Sequence, residues 1–276
     1  MNPNQPLDQG KPRWLIAADI GNHGMKIERR PCDHLAAASP GPRLTISSAA
    51  TPPDSLANWL PAEPAHWLVA TVQRDAELRL APWVWQHRPL DTYCRLTQPM
   101  VPIPVGVDNP SQVGIDRLLA ALATLGREPD RCCRIVVDAG SAVTVDRVSS
   151  DGVFEGGAIL PGWGMMAATL ARQTDQLPEI GRIAATDLPP VVGRSTVAAI
   201  QSGLYWGMVG AVRELVRWMS AEIGERVPVF VTGGDGGLLA QQLGISVRHV
   251  SNLVLDGIVA TYQHQPLNQT IPHLKV

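Results

Sequence analysis

One short pattern occurs twice in this chain of 276 residues and constrains its fold more than any other feature. An apolar run at residues 14–18 ends in Asp19-Ile-Gly-Asn22, and a second run at 135–137 ends in Asp138-Ala-Gly-Ser141. The two aspartates lie 119 residues apart (138 − 19), a separation typical of one domain. Each copy predicts a buried strand, a tight turn and a second strand, of alternating apolar and polar residues, that forms a hairpin with the first. We therefore expect a duplicated α/β unit.

Composition and charge exclude several classes of protein. A net charge of −2 gives no overall attraction to nucleic acid or to anionic membranes. The first 13 residues contain no apolar segment, and no run of eighteen apolar residues occurs later, so we expect neither a secretion signal nor a membrane partner. The four cysteines form no Cys-x-x-Cys pair, which argues against a zinc site and for reduced thiols. These features predict a soluble, cytoplasmic protein.

Periodicity predicts the remaining elements and the domain limits. Apolar residues from Ile115 to Leu125 recur at helical spacing behind a predicted N-cap at Asn109-Pro110. Trp83 and Trp85, two residues apart, are predicted on one face of a strand. We expect loops and one short helix in 31–66, strands at 66–70, 153–162 and 227–232, and a long helix at 196–219. The predicted domains are 14–128 and 129–265, between a disordered extension at 1–13 and a tail at 266–276.

The two Asp-x-Gly turns suggest a site for a nucleotide. Glycine lets backbone N–H groups approach phosphate oxygens, and a carboxylate at the strand end can bind Mg²⁺ directly or through water. The alternative is that each turn simply ends a strand as an Asx turn, which is the better interpretation of a single copy. A third glycine cluster, Gly233–Gly237, follows a predicted strand and precedes a helix. The two Asp-x-Gly turns together with this cluster favour the nucleotide site. Neither a P-loop nor a dinucleotide-binding fingerprint is present.

Six segments together resemble the type III pantothenate kinase family, which belongs to the acetate and sugar kinase, Hsp70 and actin superfamily. The resemblance spans residues 14–260. Its segments, in family order, are 19–26, 114–117, 137–146, 156–162, 195–203 and 232–234. It implies an α/β fold of two duplicated actin-like (ribonuclease H-like) domains with a nucleotide cleft between them. It also implies transfer of the γ-phosphoryl group of ATP to pantothenate, the first step of coenzyme A biosynthesis.

The same resemblance implies cofactors, a partner and site residues. The cofactors are ATP with Mg²⁺ and a monovalent cation, K⁺ or NH₄⁺, and the partner is a second copy in a homodimer. Asp116 is implied as the catalytic proton acceptor, Asp138 as the ligand of the monovalent cation and Asp19 as a ligand of Mg²⁺. The implied ATP contacts are Asp19, Ile20, Gly21, Asn22, His23, Gly24, Met25, Lys26 and Ser141. The implied pantothenate contacts are Gly114, Ile115, Asp116, Arg117, Thr196 and Val107.

Two of these positions differ from the family pattern. His23 stands where the family usually has Thr, and Val107 stands where it commonly has a substrate-contacting Tyr. Two other interpretations therefore stay open: a non-catalytic regulatory homologue of the same fold, and a kinase for another small hydroxy compound. Gly203, Gly207 and Ala211 fall four residues apart on the predicted long helix. They predict close helix packing, either at a subunit interface or on the helix's own sheet.

Overall fold

The computed structural model describes residues 12–35, 40–127, 131–181, 188–224 and 227–264. Three predictions lie outside the described residues: the boundary between 128 and 129, the tail at 266–276, and the extension at 1–13 except for its last two residues. The chain divides into two compact units. Unit 1 contains residues 1–102, 114–119 and 254–276, and unit 2 contains 103–113 and 120–253. Each unit therefore contains one copy of the Asp-x-Gly pattern.

The described part of the chain contains ten strands and seven α-helices. The strands are β1 (Trp14–Ile20), β2 (Gly24–Pro31), β3 (Arg43–Ser47), β4 (Ala65–Thr71), β5 (Thr92–Arg95), β6 (Arg134–Ala139), β7 (Ala142–Val148), β8 (Phe154–Pro161), β9 (Val229–Thr232) and β10 (Arg248–His249). The helices are α1 (Ser55–Trp59), α2 (Arg74–His87), α3 (Ile115–Leu125), α4 (Trp163–Gln173), α5 (Thr196–Ile223), α6 (Gly236–Gln242) and α7 (Leu253–His264).

The two units have sheets of the same topology. The strand order is β3-β2-β1-β4-β5 in unit 1 and β8-β7-β6-β9-β10 in unit 2. In both sheets the first strand pairs antiparallel with its hairpin partner and parallel with the next strand along the sheet. This confirms the predicted α/β fold with a duplicated unit. Strand β1, which contains Asp19, and strand β6, which contains Asp138, occupy the same central place in their sheets.

Burial explains why these segments form central strands. Ile16, Ala18 and Ile20 of β1 are fully buried in the core of unit 1, together with Leu80 and Val84 of α2. Leu15 and Ala17 alternate with them and are buried on the opposite face of the sheet. A strand that is buried on both faces has a continuous apolar sequence, and residues 14–18 form such a sequence. Asp19 is the first polar residue of this run, and it is partly buried.

A charged network is buried within unit 1. Glu28 of β2 is fully buried and accepts hydrogen bonds from Gly41 N (2.9 Å), from Arg43 Nε (2.6 Å) and from Arg30 Nε. Arg30 Nη2 also donates to Asp256 Oδ1 in the first turn of α7, at 2.9 Å. Two arginines thus balance two carboxylates, and the network ties α7 to the sheet. Removing one member would leave a buried charge without its counter-charge, which is strongly destabilising.

A glycine allows the close approach of two helices in unit 1. A Cβ atom added to Gly257 of α7 would overlap the backbone of Leu119 in α3. The first turns of α3 are therefore held against α7 by direct backbone contact. This packing fixes the start of α3, which carries the predicted catalytic residue.

The long helix of unit 2 has one buried and one exposed face. Tyr205, Met208, Val209, Val212 and Val216 of α5 pack in the core with residues of β6 and β9. The helix begins where Ser195 Oγ accepts a hydrogen bond from Ala198 N at 3.2 Å. It ends at Gly224, whose φ of 74° is the left-handed conformation that favours glycine. The predicted helix at 196–219 is confirmed and extends to Ile223.

Two predictions about secondary structure are wrong. The predicted N-cap at Asn109 fails because Pro110–Gln112 forms a separate 3-10 turn, and the extended Val113 interrupts the chain before α3 begins at Ile115. Trp83 and Trp85 lie on helix α2 and not on a strand. Trp83 is buried, whereas Trp85 is 43% exposed, because residues two apart point in different directions on a helix.

One strand was missed within 31–66. The sequence predicts loops and one short helix there, and the structure contains α1 but also β3, which forms the edge of the sheet in unit 1. Of its five residues only Ile46 is buried, so apolar periodicity gives little signal for it. In the part of the chain that the structure describes, the helices are all too short or too polar to cross a membrane.

Candidate active site

The first Asp-x-Gly turn joins β1 to β2 in unit 1. Asp19 pairs across the hairpin with Lys26, and Gly21 N donates to Gly24 O at 3.0 Å to close the turn. Asn22 and His23 are exposed at its tip. The hairpin therefore presents a carboxylate, an ammonium group and a short exposed backbone loop at one end of the sheet, as the sequence predicts.

The carboxyl group of Asp19 has a perturbed pKa. Burial raises it from 3.8 to about 6. The nearby positive charge of Lys26 lowers the pKa, and the negative charge of Asp116 raises it. Two carboxylates from segments almost a hundred residues apart in sequence are thus close enough to interact electrostatically. A pair of this kind favours binding of a cation.

Asp116 lies in the first turn of α3. Its Oδ1 accepts a hydrogen bond from Arg117 N at 2.9 Å, and a Cβ atom on Gly114 would lie only 2.5 Å from the same oxygen. A residue larger than glycine at 114 would displace the carboxylate. Burial raises the pKa of Asp116, and the hydrogen bond from Arg117 N partly opposes that shift. A carboxylate with a raised pKa is a stronger proton acceptor.

Three glycine-containing segments meet at the second Asp-x-Gly turn, in unit 2. Gly162 N donates to Ser141 O and Asp235 N donates to Ala139 O, both at 3.0 Å. A Cβ atom on Gly233, whose φ is 93°, would lie 2.5 Å from Asp138 Oδ1. The carboxylate of Asp138 therefore faces the turn after β9. This arrangement brings together the third, fourth and last of the six family segments within unit 2.

The predicted substrate residues Val107 and Thr196 lie elsewhere in unit 2. Val107 follows a segment that pairs with the start of β8, where Gly106 N donates to Phe154 O at 2.8 Å. Its Cγ1 would be 3.1 Å from a Cβ atom on Gly156, so Val107 packs over a glycine of β8. Thr196 is the first residue of α5 and is exposed.

One residue that supports the first turn was not predicted from the sequence. Ser48 follows β3, is only 1% exposed, and contacts the carbonyl groups of Gly21 and His23. It stands in a polar stretch, Ser47-Ser48-Ala49-Ala50, that resembles any surface loop. Ser48 could have been predicted by recognising β3 as a strand that pairs with β2, because that pairing brings Ser48 to the turn.

The carboxylates near Asp19 suit a Mg²⁺ ion that also binds phosphate and water, rather than a metal ion bound by protein side chains alone. Among the described residues, no group of three His, Cys, Asp or Glu side chains is close enough to hold a metal ion. Mg²⁺ in nucleotide sites commonly takes one or two carboxylates and completes its shell with phosphate oxygens and water. Asp19 and Asp116 supply two carboxylates within electrostatic reach of each other.

Comparison with known proteins identifies the family. The family model described as type III pantothenate kinase matches residues 15–218. Proteins named type III pantothenate kinase are 40% identical over 161 residues in Dehalococcoides mccartyi and 45% identical over 150 residues in Rhodopirellula baltica. Those matches cover 58% and 54% of this chain, and 60% and 53% of the relatives. The chain thus spans less than two thirds of the length of the curated relatives it matches.

Solved structures support the same fold over nearly the whole chain. A protein from Campylobacter jejuni described as a Baf family transcriptional activator superposes with a TM-score of 0.57 at 19% identity, and covers 90% of this chain and 98% of its own. A protein from Sinorhizobium meliloti named as a 2-dehydro-3-deoxygalactonokinase gives a TM-score of 0.52 at 14% identity with the same coverage. At these identities the likeness shows the fold alone. The family model covers well over half of the chain, and the chain belongs to the type III pantothenate kinase family.

Proposed function

We propose that this protein transfers the γ-phosphoryl group of ATP to the primary hydroxyl of pantothenate, the first step of coenzyme A biosynthesis, in the cytoplasm. The observation that carries the proposal is the interacting pair Asp19 and Asp116, which unit 1 assembles from two segments of the family pattern. Membership of a family whose relatives are named type III pantothenate kinase supports the choice of substrate. No observation favours the regulatory homologue or a different hydroxy compound.

Asp116 is the proposed proton acceptor for the pantothenate hydroxyl. Phosphoryl transfer depends mainly on positioning and on neutralising charge, with a carboxylate that orients the attacking hydroxyl. Its partly buried position and raised pKa suit that role. The hydrogen bond from Arg117 N to Oδ1 fixes the orientation of the carboxylate. Gly114 leaves the room that this orientation needs.

Residues 19–26 are the proposed contacts for the phosphates of ATP. Asp19 would hold Mg²⁺, either directly or through water, and Lys26 would place a positive charge beside the phosphates. Mg²⁺, when bound, neutralises charge that develops on the transferred phosphoryl group. The exposed position of His23 at the tip of the turn leaves room for the phosphates without requiring contact from its imidazole. Ser141 is the proposed ATP contact from the second turn.

Asp138 is the proposed ligand of the monovalent cation, K⁺ or NH₄⁺. Its carboxylate faces the glycine turn after β9, and carboxylate and carbonyl oxygens are suitable ligands for a hard cation. For pantothenate we propose contacts from Gly114, Ile115, Arg117, Thr196 and Val107. The guanidinium of Arg117 can bind a carboxylate through two parallel hydrogen bonds. Val107 is aliphatic and contributes packing only.

The proposed function is tested by ATP consumption with and without pantothenate, in K⁺ buffer and in Na⁺ buffer, with Mg²⁺ present. We expect consumption that requires pantothenate and is faster in K⁺. Equal pantothenate-dependent rates in both buffers would remove the monovalent cation from the proposal. Folded protein that consumes no ATP with pantothenate, but consumes it with another compound from a panel of small alcohols, would replace the substrate. No consumption with any compound would favour the regulatory homologue.

We further propose that the protein forms a homodimer through α5. Gly203, Gly207 and Gly210 are exposed, and a Cβ atom on any of them would meet no heavy atom within 4 Å. These glycines therefore do not pack on the helix's own sheet, which was the alternative from the sequence. Ile159 on the edge strand β8 is also 64% exposed. Small residues on a helix permit close packing against a second helix, and an open strand edge with an exposed apolar residue favours association.

Gly207→Arg tests this interface. We expect the variant to be a monomer of 29.7 kDa in light scattering after size exclusion, where the wild type has twice that mass, because the arginine side chain blocks close approach of the helices. Circular dichroism should be unchanged, since the site is open. Gly126→Arg, at another exposed glycine with open space, should remain dimeric. A dimeric Gly207→Arg variant would exclude α5 as the interface, and a monomeric wild type would exclude the dimer.

A further inference from the structure

One serine donates hydrogen bonds to two carbonyl groups of the first turn. Ser48 Oγ donates to Gly21 O at 2.6 Å, and Ser48 N donates to His23 O at 3.2 Å. The two acceptors belong to the peptide groups on either side of the exposed tip formed by Asn22 and His23. Ser48 is only 1% exposed, so these bonds are shielded from competition with water.

The orientation of the carbonyl groups determines the orientation of the amide groups. A trans peptide is planar, and its C=O and N–H point in opposite directions. The structure contains no cis peptide among its described residues. Because the carbonyls of Gly21 and His23 point toward Ser48, the N–H groups of Asn22 and Gly24 point away from it. Backbone N–H groups in a turn of this kind can bind an anion such as phosphate.

An arginine of helix α2 contacts Ser48. Arg79 of α2 donates from Nη2 to the carbonyl oxygen of Ser48. The Nε atom of Arg79 is buried and has no hydrogen-bond partner among the described residues. A buried donor without a partner costs free energy. The contact from Nη2 restrains the backbone of Ser48, which in turn contacts the first turn.

We propose that Ser48 and Arg79 are positioning residues that hold the first turn in the conformation that binds the phosphates of ATP. Arg79 fixes Ser48, and Ser48 orients the N–H groups of Asn22 and Gly24. Neither side chain takes part in the chemical step. The inference rests on the proposed ATP-binding role of residues 19–26 and deepens it, because it assigns two residues outside every family segment that the sequence contains.

The test measures MgATP binding by isothermal titration calorimetry on the full chain, without turnover. We expect Ser48→Ala to weaken MgATP binding about tenfold, the loss that corresponds to the one hydrogen bond that Oγ donates. Arg79→Gln should weaken it by a smaller factor, and Arg79→Lys should recover part of the loss because it keeps one charged donor. Ser47→Ala and Arg74→Gln are the matched controls; both residues are exposed neighbours of the same types and should bind as the wild type does.

Steady-state kinetics separates a positioning role from a purely structural one. We expect Ser48→Ala to raise the KM for ATP and to leave the KM for pantothenate unchanged, whereas a general loss of folding would lower activity without that difference. If Ser48→Ala does not fold, Arg79→Lys and Arg79→Gln carry the same comparison. Wild-type affinity in every folded variant, or no MgATP binding by the wild type, would overturn the inference. A wild type that binds MgATP but does not phosphorylate pantothenate would overturn only the proposed function.

Discussion

Replacing Asp116 by asparagine is expected to lower kcat for pantothenate phosphorylation by a factor of about 10² to 10⁴, the usual contribution of a general base. Asparagine has the same shape but cannot accept the proton of the hydroxyl. Its Oδ1 can still accept the hydrogen bond from Arg117 N, so the start of α3 should keep its conformation. The KM values for ATP and pantothenate should change little, because the lost interaction is made mainly in the transition state.

Initial-rate kinetics and a thermal unfolding curve check this expectation together. Asp75→Asn is the matched control, because Asp75 is also in the first turn of a helix but is exposed. The control should retain wild-type kcat. If Asp116→Asn turned over pantothenate at a rate close to that of the wild type, another group would be the proton acceptor. A loss of kcat accompanied by a large fall in Tm would indicate a structural role for Asp116.

Replacing Asp19 by asparagine is expected to abolish turnover and yet to stabilise the ligand-free protein. Burial raises the pKa of Asp19 from 3.8 to about 6, so the folded protein binds more protons than the unfolded chain between these values. The free energy of unfolding therefore falls as pH rises from about 4 to about 6, and it stays lower above that window. Asparagine does not ionise and avoids this cost, which is on the order of 3 kcal/mol at neutral pH.

Urea unfolding at pH 4, 5, 6 and 7.5 measures the effect. We expect the difference in unfolding free energy between Asp19→Asn and the wild type to grow across this series in favour of the variant. The exposed Asp151→Asn should follow the wild-type profile. Addition of Mg²⁺ and ATP should stabilise the wild type more than the variant, because a bound cation favours the ionised carboxylate. A variant that is less stable than the wild type at pH 7.5 would contradict the assigned pKa.

The sequence predicts those parts of the fold in which local pattern and burial agree. The two Asp-x-Gly hairpins and the long helix α5 are confirmed because their apolar residues alternate or recur in the way their burial requires. Edge strand β3 could not be predicted, since edge residues face water and carry little apolar pattern. Helix α2 was mistaken for a strand because Trp83 and Trp85 suggested a period of two, and Pro82 lies inside that helix.

The same distinction holds for the candidate site. Asp19, Asp116 and Asp138 were predicted as site residues because they stand in short segments that resemble a family pattern. Their environments were not predictable: the raised pKa of Asp19 depends on burial and on a carboxylate distant in sequence. Ser48 and Arg79 were missed because each acts on backbone carbonyl groups, and such contacts depend on which strands are neighbours rather than on residue spacing.

The buried network around Glu28 has a consequence for how this chain can vary in evolution. Glu28, Arg30, Arg43 and Asp256 compensate one another in a place that water does not reach freely. A single neutral replacement leaves an unpaired buried charge, whereas replacing the whole set by apolar residues of similar volume is often tolerated. Neutral replacement of these residues one at a time is therefore disfavoured. Among related chains, the four positions should either all remain charged or all become apolar together.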